Sequence, residues 1–153
     1  ARIAREHGYH VIDLGDDLEG EAREVGAAHA RIALETKGPA IIVSGGETTV
    51  TLKGKGRGGR NAEYALALAI GLAGAAHVSG VAIDTDGIDG SEDNAGARVA
   101  PDVLARAAAM GLDAQAMLAD NDAYGFFEAT GDLVMTGPTL TNVNDFRAII
   151  VGA

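Results

Sequence analysis

The stretch Ala40 to Glu63, "AIIVSGGETTVTLKGKGRGGRNAE", holds a strand, a glycine pair, a basic glycine-rich loop and the start of a helix in direct succession. Four apolar residues, Ala40 to Val43, run straight into glycines, the pattern of a strand covered on both faces in a sheet with helices on either side. Thr48 to Lys53, "TTVTLK", is β-branched and alternating, which predicts a second short strand. Asn61 can cap a helix running to Leu72, Glu63 suits its first turn, and its Ala and Leu content all round predicts a largely buried element.

Working outward gives the rest of the frame. Before this stretch, an opening helical pattern ends at Gly8, Tyr9 to Gly15 reads as a strand, and Glu19 to Leu34 has helical period with Ala22, Val25, Ala28 or His29, and Ile32 on one stripe. After it, Val78 to Asp84 reads as a strand, and Pro101 to Met110, Asp113 to Ala119 and Asn121 or Asp122 to Ala129 as helices. Leu133 to Thr136 and Phe146 to Gly152 read as strands flanking a polar loop. The pattern predicts one α/β domain over residues 1–153, with a mostly parallel or mixed sheet and helices on both faces.

Composition narrows the function. The chain carries 22 acidic against 12 basic residues, a formal net charge of −10, and 4% aromatics. That balance opposes nucleic-acid binding, through phosphates or through base stacking. Without cysteine there are no disulfides or thiolate metal sites, and no apolar run is long enough to span a bilayer, so the expectation is a soluble, cytoplasmic protein with no membrane partner. The first residue is not Met and the chain opens inside a helical pattern, which reads as a piece of something longer.

Chemistry should gather in the loops at strand ends, because open α/β sheets bind ligands there. Four of the twelve basic residues, Lys53, Lys55, Arg57 and Arg60, sit among Gly54, Gly56, Gly58 and Gly59. Close-approaching backbone amides and a helix opening just behind them suit a phosphate or carboxylate, with Arg60 at the helix mouth the main candidate. The loop also fits G-x-G-x-x-G between a strand and a helix, but no acidic residue ends a strand some twenty residues on, and a P-loop Lys and Ser/Thr are missing.

A second loop gathers Asp84, Asp86, Asp89, Glu92 and Asp93. Such carboxylates repel unless a cation or hydrogen-bond donors intervene, so they read either as a Mg²⁺ site at Asp86 and Asp89 shared with substrate phosphates, or as a cluster of Asx turns. Asp86 or Asp89 could also act as a general base. The last loop supplies Thr136, Thr139, Thr141, Asn142, Asn144 and Asp145, which suit a polyhydroxy acid or a ribose and equally suit a loop satisfying its own backbone. The four histidines are scattered outside these loops, and Ser44 lacks the setting of a nucleophile.

Taken together, "SGGETTVTLKGKGRGGRNAE", "DTDGIDGSEDNAGA" and "LADNDAYGFFEATGDLVMTGPTLTNVND" resemble the MOFRL family, the C-terminal domain of type-2 glycerate kinases, from about residue 9 to the end. The resemblance implies ATP- and Mg²⁺-dependent phosphorylation of D-glycerate at its 2-hydroxyl, though some members carry a hydroxypyruvate reductase label. It also implies a larger N-terminal Rossmann-like domain as partner, a cleft between the two, and an isolated C-terminal part that is inactive; a homodimer stays open. On this chain the family strings fall on Gly45 to Thr49, on Gly58 to Asn61 and on Asp86 to Gly90. Arg60, Asp86 and Asp89 are then the expected catalytic residues, with Asp86 and Asp89 holding the metal. Glu47, Thr48, Thr49, Lys55, Asn61, Thr136, Thr139, Asn142 and Asn144 are expected to contact a glycerate-like hydroxy acid or other anion. The alternatives are a nicotinamide-dependent reductase and a non-catalytic module that binds small anions.

Overall fold

A computed structural model describes residues 1–152. In chain order the elements are α1 (Arg2–Glu6), β1 (His10–Asp13), α2 (Ala22–Glu35), β2 (Ala40–Ser44), α3 (Arg60–Leu72), β3 (Val78–Asp84), β4 (Gly96–Val99), α4 (Val103–Ala109), α5 (Ala114–Ala119), α6 (Ala123–Thr130), β5 (Leu133–Val134) and β6 (Asp145–Val151). The six strands form one mixed sheet in the order β1-β2-β6-β3-β4-β5.

Only β1 and β2, joined by the crossover helix α2, run parallel; every other neighbouring pair is antiparallel. β6 is inserted at the centre, between β2 and β3, far in sequence from both. Thr48 to Lys53 is not a strand, although its alternation predicts one. It is extended chain with a single bridge between Glu21 and Thr49, and its amides turn to side chains: Thr51 N–H donates to Glu21 and Lys53 N–H to Asn121.

Alternation along the strands sorts the two faces. Ala40, Ile42, Val78, Ala82, Val99, Ile149 and Val151 point to the covered face and are buried. α2 and α3 pack there through small residues such as Ala22, Gly26, Ala30 and Ala65, and α4, α5 and α6 pack against α3. α3 is buried almost all round, as its composition predicts. The expected helices on both faces come down to α1 on the second face, at the β1 edge beside a groove floored by Ile41, Val43, Ala148 and Ile150.

Between α2 and α3, His29 Nδ1 lies 2.8 Å from the Tyr64 hydroxyl, with the rings edge to face. Burial, aided by the nearby Arg147 charge, pushes the His29 pKa down to about 4. The folded state therefore holds His29 neutral where the unfolded chain takes up a proton, so this contribution is complete above pH 6.5 and is lost as the pH falls toward 4. The unfolding free energy of wild type, relative to a His29→Gln variant, should shrink by on the order of 3 kcal/mol between pH 7 and pH 4. Urea titrations of both proteins at several pH values check this. A gap that stays constant with pH would show that His29 is not held neutral.

Candidate active site

The loops after β2 and β3, the N-terminus of α3 and the start of β6 meet at one rim of the sheet. Asp145, the first residue of β6, is their junction and is 2% exposed. Its carboxylate accepts from Arg60 Nε at 2.9 and 3.1 Å, from Asn61 Nδ2 at 2.8 Å and from Arg147 Nη2, while the Thr48 amide approaches to 3.4 Å. One carboxylate thus ties together the Gly45 to Thr49 loop, the mouth of α3 and the central strand.

Arg60 leaves this junction toward solvent. Its Nη2 donates to Asp84 at 2.7 Å, and its Nη1 stands 3.2 Å from the exposed Glu47. Asp84 and Asp145 fix the guanidinium plane, whereas the Glu47 pair sits in water and is correspondingly weak. Burial pushes the Asp84 carboxyl up, against the opposing pull of the Asp86 amide and the Arg60 charge. Arg147 lies behind, 1% exposed, donating to the Gly45 carbonyl at 2.9 Å and to Thr48 Oγ1 at 3.2 Å, with its guanidinium 5.3 Å from the Tyr64 ring centre. It holds the shape of the loop carrying Glu47, Thr48 and Thr49. Neither Arg147 nor the junction role of Asp145 was drawn from the sequence, although the alternation that buries Ile149 and Val151 also places both on the inner face.

Asp89 has a different post from the one its sequence suggests. It is fully buried, and its two oxygens accept from the amides of Asn61 at 2.9 Å and Ala62 at 2.8 Å. It is the anion that the α3 N-terminus attracts, supplied by the chain itself. Burial pushes its carboxyl up to about 6 despite these donors. Gly59 leaves room for it, since a Cβ there would overlap the Asp89 carboxylate.

The basic loop is used in a similar way. The amides of Lys53 and Gly54 donate to Asn121 Oδ1, that of Lys55 to Asp120, that of Gly56 to the Asp120 carbonyl and that of Arg57 to Asp122. Gly56 permits this approach, because a Cβ would collide with Asp122. These amides serve the chain's own Asp120 to Asp122 turn, and the Lys55 side chain is exposed.

In the acidic loop, Asp86 N–H donates to Asp84 and Asp86 accepts from the Ile88 amide at 2.9 Å, which are Asx turns. Asp84 is bound to Arg60, and both oxygens of Asp89 are taken up by the α3 amides. Among the described residues no three metal-capable side chains gather, so the donor set does not fit a Mg²⁺ site built by this chain alone.

The Thr/Asn loop packs on the acidic one. Thr139 N–H donates to the Asp86 carbonyl, and Thr139 Oγ1 to that of Thr85. Thr136 Oγ1 donates to the Gly137 carbonyl, the Asn142 side chain accepts from the Asn144 amide, and the Asn144 carbonyl accepts from Thr85. All four of these residues are exposed, and their observed hydrogen bonds serve the backbone of this loop and of the acidic one.

What opens to solvent beside Arg60 is a cleft of about 900 Å³, walled by Glu47, Thr48, Thr49, Gly58, Gly59 and Gly90. The amides of Gly58, Gly59 and Arg60 make no hydrogen bond among the described residues. Of the expected site residues, the structure brings Glu47, Thr48, Thr49 and Arg60 to this cleft and sets Asn61 and Asp89 directly beneath it. Lys55, Asp86 and the Thr/Asn loop stand outside its walls.

Comparison with known proteins matches residues 40–145 to the model of the MOFRL family. The chain is 52% identical over 99% of its length to an Agrobacterium vitis protein bearing a provisional hydroxypyruvate reductase name, and 41% identical over 98% of its length to the D-glycerate 2-kinase of Thermotoga maritima. The crystal structure of glycerate kinase from Thermotoga maritima superposes on 98% of the chain with a TM-score of 0.94 at 39% identity. The chain spans 42% and 37% of the two curated relatives and 38% of the solved chain. It belongs to the MOFRL family.

Proposed function

We propose that this chain forms one wall of the active site of an ATP-dependent D-glycerate 2-kinase. The observation that carries the reading is Arg60, locked by Asp84 and Asp145 at the cleft mouth beside the unbonded amides of Gly58 to Arg60. A preset guanidinium beside unbonded amides suits the charge spread over a phosphoryl group in transfer. The glycerate 2-hydroxyl oxygen bonds to the γ-phosphorus as the bond to the bridging oxygen breaks and ADP leaves. Glu47, exposed and loosely paired, is placed to take the hydroxyl proton, while the incoming anion replaces it on Arg60 Nη1. The other wall comes from the rest of a longer protein, so the isolated chain is inactive. The Mg²⁺ such a reaction uses would arrive with the nucleotide phosphates.

The reductase reading loses its main sequence support, because the G-x-G-x-x-G amides at Gly54 and Gly56 are bonded to Asn121 and Asp120. Full-length protein incubated with ATP and D-glycerate should release ADP only when both are present. Oxidation of NADH or NADPH by hydroxypyruvate, without nucleotide turnover, would reverse the assignment.

A further inference from the structure

The uncovered face of the sheet is largely apolar across β2, β6 and β3. In register, Val43, Ala148 and Val81 form one row, Ile41, Ile150 and the single polar residue Ser79 a second, and Phe146 and Ile83 a third. Phe146 and Ile150 are each 43% exposed. The face carries a groove of about 1020 Å³ toward β1 and another of about 580 Å³ toward β4. Sheets of this kind bury both faces or place polar residues on the wet one; here Asp13 and Arg98 flank the face on β1 and β4, and Ser79 is the one polar side chain among the rows between them.

We infer that this face is the seat of the remaining part of the full-length protein, roughly the three fifths of its relatives' length that this chain does not match. The position of Ala1 selects that occupant over a second copy. The wall of the larger groove is α1, with Ala1, Ile3 and Ala4 lining it, so in a longer protein the chain joined to Ala1 arrives at this face. A tethered segment docks at high effective concentration, whereas a second copy must associate from solution. In addition, α1 buries none of its residues and leaves Ile3 62% exposed, so the wall of the groove is itself without packing on this side. The groove runs to Ser44 and Gly45 at the active-site rim, so a body seated there would stand beside the cleft. The inference rests on packing and family length, independent of which reaction the cleft performs.

Ile150→Cys and Val43→Cys, made separately in the full-length protein, test it by alkylation rate at each position, native against urea-unfolded. Protection of at least about 100-fold at both positions, unchanged on tenfold dilution, is expected for a face covered from within the same chain. Rates within about tenfold of the unfolded protein would overturn the inference. Protection that fades on dilution would overturn it in favour of a second copy.

Discussion

Replacing Asp145 with alanine in the full-length protein is expected to lower folding stability by about 3–5 kcal/mol, the cost of breaking a buried ion pair from one side. Arg147 is 1% exposed and Arg60 three-quarters covered, and both lean on this carboxylate. Without it, the Arg147 guanidinium keeps only the Gly45 carbonyl and Thr48 Oγ1, a buried cation with neutral acceptors, and burial already lowers its pKa. Asn61 Nδ2 keeps only the longer bond to Asp89, at 3.3 Å. Asp145→Asn should be intermediate: it can still accept from Arg60 and Asn61 on one side, but its new NH₂ would face Arg147 Nη2 as donor against donor. Glu47→Gln, at the exposed end of the same network, should stay within about 0.5 kcal/mol of wild type. Urea unfolding of the three variants orders them. A loss below about 1 kcal/mol for Asp145→Ala would mean the network relaxes around solvent and Asp145 is no junction.

The same network shows what was legible in the sequence. β3 and α3 are found within a residue of where their patterns put them, because an apolar run and an Ala/Leu helix declare themselves locally. β4, "GARV", is too short to stand out, and exists because β3 and β5 pair with it. The placement of β6 between β2 and β3 is a long-range pairing with no local signature. In the site, residue types were legible and partners were not. Glycine-rich amides and a helix N-terminus do attract anions, as expected, but the anions are Asp89, Asp120 and Asp122 of the chain itself. Spacing reveals which loops carry charge. It does not show that one loop's donors will be consumed by another tens of residues away.

Arg60→Ala in the full-length protein should lower kcat by about 10²- to 10³-fold, the range found on removing one preset donor from a developing anion. Of the two buried carboxylates that set its direction, Asp145 keeps Arg147 when Arg60 is removed, whereas Asp84 has no other ion-pair partner among the described residues. The third, Glu47, is the pair a ligand can break. A structural explanation of the loss is therefore distinguishable: a variant failing through misfolding loses kcat in step with unfolding and does not respond to added cation. If Arg60 acts on the transferred phosphoryl group, guanidinium ion at millimolar concentration should restore part of kcat to Arg60→Ala and nothing to wild type. Arg60→Lys should recover less than its charge suggests, because an ammonium cannot meet Asp84, Asp145 and a phosphoryl oxygen in one plane. Turnover of folded Arg60→Ala within about threefold of wild type would remove Arg60 from the chemistry and leave it a strut between β3 and β6.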